Sequence, residues 1–141
     1  VFIVREPAEF IRSQRAFLEK QGMRPEHIER QHIATANRLG NLARSYADRA
    51  TLCHVIKFED LVADPKRVVR ALMDYLELPA TEGYLDSVAA IIGDDSSHSR
   101  MLRTDKKSKI ADEFEQYRSM LDAAQQKNLA TFCHQFGYTL S

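Results

Sequence analysis

The apolar positions change their period along the chain, and each change marks an element. Val1 to Val4 form an unbroken, largely β-branched run, the pattern of a strand buried on both faces of a parallel sheet. Arg5-Glu6-Pro7 interrupts it. A proline disfavours helix at the preceding residue but suits the first turn of a new one. From Pro7 to Gln21, Phe10, Gln14, Phe17 and Leu18 recur at near-helical spacing, which predicts a helix with that face turned inward. Gly22 reads as its stop. A second helix is predicted from Pro25 to Tyr46. Its apolar positions Ile28, Ile33, Leu39 and Leu42 are sparse among Arg, Glu and His, so it reads as a long, largely exposed connecting helix.

Thr51 to Lys57, with Leu52, Val55 and Ile56, predicts a second buried strand. The segment Phe58 to Pro65 reads as a loop ending in a helix start, with Asp64 as N-cap and Pro65 in the first turn. The helix from Pro65 to Leu76 is expected to bury Val68, Val69, Leu72 and Leu76, and Leu78-Pro79 closes it. A short helix is predicted over Tyr84 to Ile92, stopped by Gly93. Asp94 to Lys109 is polar and aperiodic, the pattern of a loop. Two helices follow, one over Ile110 to Leu121 and one from Asp122, where Leu129, Phe132, Cys133 and Phe136 trace a buried face up to Gly137.

Strands separated by helices argue for an α/β fold with a parallel sheet. Two strands make a poor sheet by themselves, because their edges are unpaired. Further strands are therefore expected upstream of Val1, with residues 1–141 as a single domain-sized part at the C-terminal end of a longer protein.

Composition narrows the chemistry. The chain has 20 Lys and Arg and 20 Asp and Glu, hence a formal net charge of zero. That argues against broad nucleic-acid binding, which needs a basic excess, so any anion site is local. The two cysteines, Cys53 and Cys133, lie in no CxxC pair and read as buried, reduced thiols of a reducing, cytoplasmic compartment. No His or Cys cluster has metal-ligand spacing, and no apolar run approaches a membrane span. His32, His54 and His134 fall inside predicted elements and read as structural or surface residues.

The first strand–helix junction is the strongest candidate for chemistry. The C-terminal end of a parallel strand faces the ligand crevice of an open α/β sheet, and Arg5 is the first residue after such a strand. A guanidinium there can take a phosphate through two parallel hydrogen bonds. Ser13, eight residues on, can donate to a second oxygen if its helix face turns to the crevice. For so short a pattern the alternative is a salt-bridged Arg5 and a solvent-facing Ser13. Glu59 and Asp60 resemble a catalytic carboxylate pair, but their place between a strand and a helix favours backbone contacts or an ion pair with a nearby Arg.

A second junction, KFEDLVADPKRVVRALMDYLELP over Lys57 to Pro79, changes the weight of the first. Together the two resemble a sulfotransferase that uses 3′-phosphoadenosine 5′-phosphosulfate. In that family a strand ends in Arg-Asn/Asp-Pro with a Ser eight residues after the Arg, matched here by Arg5, Pro7 and Ser13, with Glu6 a departure. A later strand leads into Tyr-Glu-Asp-Leu, an Asp/Asn-Pro and a helix ending Leu-Gly-Leu-Pro. The chain has Phe58-Glu59-Asp60-Leu61, Asp64-Pro65 and Leu76-Glu77-Leu78-Pro79. Phe136-Gly137-Tyr138 also resembles the end of many bacterial members.

The resemblance implies a nucleotide-binding fold like that of P-loop NTPases, of which this is the C-terminal, helix-rich part. It implies that Arg5 and Ser13 bind the donor's 3′-phosphate and that Phe58 packs near the adenine without the family's hydroxyl. Arg100 and Arg103, in the basic segment 96–109, are further candidates for donor phosphate contacts. It implies transfer of a sulfuryl group to a hydroxyl or amine of a small-molecule or glycan acceptor, with no metal. The Gly-rich loop that holds the 5′-phosphosulfate does not occur in these residues, so the part alone is expected to be inactive, and no catalytic base is assigned. Two alternatives stand beside this: a non-catalytic α/β binding or scaffolding module of the same fold, and a kinase-like nucleotide-binding domain, which would need a Walker-type loop that the sequence lacks.

Overall fold

The computed structural model describes residues 1–94 and 107–140. The chain divides into two compact units, one of residues 1–5 and 52–105, the other of residues 6–51 and 106–141.

The first unit holds the sheet. Strand β1 (Phe2–Val4) pairs in parallel with β2 (Val55–Lys57), with Phe2, Ile3 and Val4 opposite Val55, Ile56 and Lys57. The Phe2 amide donates to the His54 carbonyl at 2.8 Å. The expected parallel strands are present, but the first is not buried on both faces: Val4 is buried, whereas Ile3 is 64% exposed. With two strands among the described residues, the sheet has no second layer over Ile3 within this unit. The second strand is also shorter than expected, because Ala50–Leu52 forms a 3₁₀ turn instead of extended chain.

Helix α3 (Phe58–Ala63) starts directly at the end of β2, in place of the expected loop. Two acidic residues, Glu59 and Asp60, sit in its first turn, where the helix dipole favours negative charge. Six residues carry too little periodicity for that helix to show in the sequence. Helix α4 (Pro65–Tyr75) begins as expected, with the Asp64 carboxylate accepting from the Arg67 amide at 3.2 Å and Pro65 in first position. Leu76, expected in its buried face, caps the helix and is exposed. Helix α5 (Glu82–Asp94) starts two residues earlier than predicted, because the Thr81 hydroxyl accepts from the Tyr84 amide at 3.3 Å and caps it. Arg70–Glu82 at 2.6 Å and Lys66–Asp86 link α4 to α5. Val4, Ile56, Val68, Val69 and Leu85 form this unit's core.

The second unit is a helical bundle. It comprises α1 (Pro7–Lys20), α2 (Pro25–Ala47), α6 (Lys107–Ser119) and α7 (Ala123–Phe136). Helix α1 buries Pro7, Ala8 and Ile11. Phe17, expected inward, is 60% exposed, and Phe10 is exposed as well. Gly22, at φ +71°, closes the helix, with Met23 N–H donating to the Leu18 carbonyl and Gly22 N–H to that of Glu19. Helix α2 is not the exposed connector of the expectation: it packs against α1 and, more extensively, against α7. It buries Ile28, His32, Thr35, Ala36, Gly40 and Ala43.

Helix α6 begins at Lys107, three residues before the expected start, and buries Phe114 and Tyr117. Helix α7 opens on a capping box: Asp122 Oδ1 accepts from the Gln125 amide at 2.8 Å and the Gln125 side chain accepts from the Asp122 amide at 3.0 Å. Its predicted face of Leu129, Phe132, Cys133 and Phe136 is buried, and Gly137, at φ +68°, ends it. Phe136 packs on Tyr46 of α2, with ring centroids 5.1 Å apart.

Candidate functional site

The parallel register places the two strand ends side by side. Val4 lies opposite Lys57, so Arg5 and Phe58 are the next residues on adjacent strands. The Arg5 guanidinium carbon stands 4.8 Å from the centroid of the Phe58 ring, a cation–π contact. Stacking engages the face of a guanidinium, whereas oxyanions are taken by its in-plane N–H groups, so the two contacts are compatible. Arg5 is half-buried at the C-terminal end of β1. Phe58 thus has a role that the sequence did not suggest, as the surface on which Arg5 rests.

Glu6, the departure from Asn or Asp, is the N-cap of α1. Its carboxylate accepts from the Glu9 amide at 3.0 Å and from the Ala8 amide at 3.4 Å. Asn and Asp cap in the same manner with a shorter side chain, so the substitution keeps the helix start. Ser13 is half-buried on α1, two turns past that cap. Arg100 and Arg103 lie outside the described residues. The Glu59–Asp60 pair occupies the first turn of α3.

A second polar constellation, unforeseen from the sequence, lies inside the helical unit. A cleft there is lined by Arg12 and Arg15 of α1, His32 of α2, and Glu113, Phe114 and Tyr117 of α6, among others. His32 is 2% and Tyr117 1% exposed, with their rings edge to face at 6.2 Å. The His32 Nε2 and Tyr117 hydroxyl are buried with no hydrogen-bond partner among the described residues. The hydroxyl lies toward the Ala36 backbone without reaching hydrogen-bond geometry.

An unsatisfied buried polar group costs about 1–3 kcal/mol. Burial holds the His32 imidazole below its ordinary 6.5, and the Arg15 charge adds to the effect, against weaker opposition from Glu19 and Glu29. Burial likewise raises the Tyr117 phenol. The signal in the sequence was the spacing of Arg12 and Arg15, three residues apart on one helix face, but nothing in the residues linked it to Tyr117.

Burial also pushes the Cys133 thiol up to about 11, with the Glu6 charge adding to the rise. Cys133 is therefore an inert core thiol, and Cys53 is half-buried and free. Among the described residues no group of three or more His, Cys, Asp or Glu is placed to hold a metal ion, and no helix is long and apolar enough to cross a membrane.

No curated protein and no solved structure matches the chain. One family model does match, over residues 1–82. That span runs from β1 into α5 and contains both strand–helix junctions, with Arg5, Ser13 and Phe58 inside it. The juxtaposed strand ends and the matched span describe the same segment, and the chain belongs to the sulfotransferase family.

Proposed function

We propose that this chain supplies the 3′-phosphate-binding part of a sulfotransferase that uses 3′-phosphoadenosine 5′-phosphosulfate. The observation that carries this reading is the parallel register that sets Arg5 on the Phe58 ring at the end of β1. A phosphate needs a cation held in place at a strand end, and a stacked arginine loses less freedom on binding than a solvated one. Arg5 and the Ser13 hydroxyl hold the 3′-phosphate, and Phe58 orders Arg5. The β1–β2 pair is the part of a P-loop-like parallel sheet that carries these residues. The donor supplies the sulfuryl group, which passes to a hydroxyl or amine of a small-molecule or glycan acceptor. Positioning and fixed charge are the protein's contribution, as in phosphoryl transfer.

Calorimetry with the protein containing this chain tests the assignment. Arg5→Ala is expected to weaken adenosine 3′,5′-bisphosphate by about 2–3 kcal/mol, the scale of a charge-assisted hydrogen-bond pair. Adenosine 5′-monophosphate, which lacks the 3′-phosphate, should bind almost unchanged. Equal losses for both nucleotides would rule out the role given to Arg5. Phe58→Leu should give a smaller loss in the same direction, and Phe58→Tyr should restore it.

A further inference from the structure

The contact between Arg5 and Phe58 depends on a short sheet. Each strand has three residues. Val4 and Ile56 are buried, but Ile3 is exposed, and register is weakly specified where a strand stays open to solvent. A slip of two residues would keep every side chain on its own face, yet at about 3.3 Å per residue it would carry Arg5 about 7 Å from Phe58. Tyr75, the last residue of α4, ties down the entrance to β2. Its hydroxyl donates to the Leu52 carbonyl at 2.6 Å. Its ring stacks on His54, with centroids 5.1 Å and planes 28° apart. The His54 carbonyl in turn accepts from the Phe2 amide at 2.8 Å. We propose that Tyr75 is a positioning residue for the donor site: by holding residues 52–54 against α4, it sets the register that brings Arg5 onto Phe58.

The surroundings of residues 52–54 single out this contact. The Leu52 side chain is 75% exposed, so residue 52 is anchored through its carbonyl and not through burial. Residues 53 and 54 belong to no helix or strand. Tyr75 reaches both ends of this link, with its hydroxyl at residue 52 and its ring at residue 54. It is itself exposed, so directional contacts outweigh burial in what it contributes. The helix that bears it is a firm reference, because Val68 and Val69 are buried and Arg70 pairs with Glu82 of α5. All these residues lie in one compact unit. Tyr75 stands at the entrance to β2, whereas Arg5 and Phe58 follow the strand exits, about 10 Å away along three residues. It therefore acts on the nucleotide through the strands and not by touching it. The inference rests on the reading of Arg5 as a 3′-phosphate ligand, but the claim about register does not.

Calorimetry and hydrogen exchange on the protein containing this chain test the role. Tyr75→Phe keeps the stack and removes the hydroxyl. It should weaken adenosine 3′,5′-bisphosphate by about three- to tenfold, the scale of one net hydrogen bond, and Tyr75→Leu should weaken it further. Adenosine 5′-monophosphate should bind both variants as it binds the parent. In an Arg5→Ala background, Tyr75→Leu should cause no additional loss, because the two residues act on the same phosphate. Thr81→Ala removes the cap of α5 in the same unit without touching β2, and it should leave the ratio of the two affinities at the parent value. Without nucleotide, exchange of the Phe2 amide should accelerate severalfold in Tyr75→Leu and not in Thr81→Ala. Equal losses for both nucleotides, a matching loss in Thr81→Ala, additive losses in the Arg5→Ala background, or unchanged Phe2 exchange would each overturn the proposal. If Arg5→Ala itself fails to separate the two nucleotides, the donor reading falls, and Phe2 exchange then decides whether Tyr75 holds the register.

Discussion

Glu77 holds a left-handed backbone, φ +55°, at the point where α4 ends. The Leu78 amide donates to the Met73 carbonyl at 2.9 Å and the Glu77 amide to the Asp74 carbonyl at 3.1 Å, the pair of bonds that terminates a helix and favours glycine at this position. A side chain in that conformation costs about 1 kcal/mol. Glu77→Gly is therefore expected to raise stability by about 0.5–1 kcal/mol, less what glycine adds to the freedom of the unfolded chain. A shift of the urea midpoint at constant m-value would show it. His32 gives a second prediction of this kind. Its folded pKa lies below 6.5, so the unfolded chain binds the extra proton more readily. The stability contributed by the neutral ring is present above pH 6.5 and is lost as pH falls through the folded value. Denaturation at pH 7.5 and pH 5.5 should show a steeper loss for the parent than for His32→Gln.

Between helices, small residues decide the packing. A Cβ added to Gly40 would come within 2.6 Å of Asn128 on α7, whose amide donates to Asn37 and whose carbonyl accepts from Arg44, both at 3.0 Å. Gly40→Ala should cost about 1–3 kcal/mol through overpacking and loss of that network, measured as a drop in thermal midpoint. Asp122→Ala, which removes the capping box of α7, should cost about 1 kcal/mol. The same small residues explain why α2 was misread. Its buried positions are Thr35, Ala36, Gly40 and Ala43, which a search for large apolar residues passes over. Conversely, the aromatic rings of Phe10 and Phe17 marked a face of α1 that the unit leaves exposed, while Ala8 and Ile11 make the contact. The strand ends, the Asp-Pro start of α4 and the buried stripe of α7 were legible, because each rests on local backbone chemistry or a complete apolar pattern. The His32–Tyr117 cleft was not: its groups come from three helices, and their convergence depends on packing.

Across the whole chain, the residues of the proposed donor site are few, and all but Ser13, which lies within α1, stand at junctions. Arg5 follows β1, Phe58 follows β2, and Glu6 caps α1. The matched span and both junctions fall in residues 1–82, while the helical unit draws half its core from α6 and α7. Exposed ion pairs such as Arg118–Glu115 and Arg67–Asp64 are worth little individually, so added salt should move the stability of the chain only slightly.

The Val4–Lys57 pairing joins positions about fifty residues apart, and it alone brings Arg5 to Phe58. Closing so long a loop is entropically unfavourable until other contacts form, and parallel pairings with wide sequence separation are slow to assemble. The backbone hydrogen bonds inside each helix are local, although the packing of α2 on α7 spans a longer stretch of chain than the strand pairing. In refolding, helical signal should therefore recover before competence to bind adenosine 3′,5′-bisphosphate. Stopped-flow circular dichroism run beside a nucleotide-binding assay would expose the lag, and simultaneous recovery of the two signals would show that the strand pairing forms with the helices.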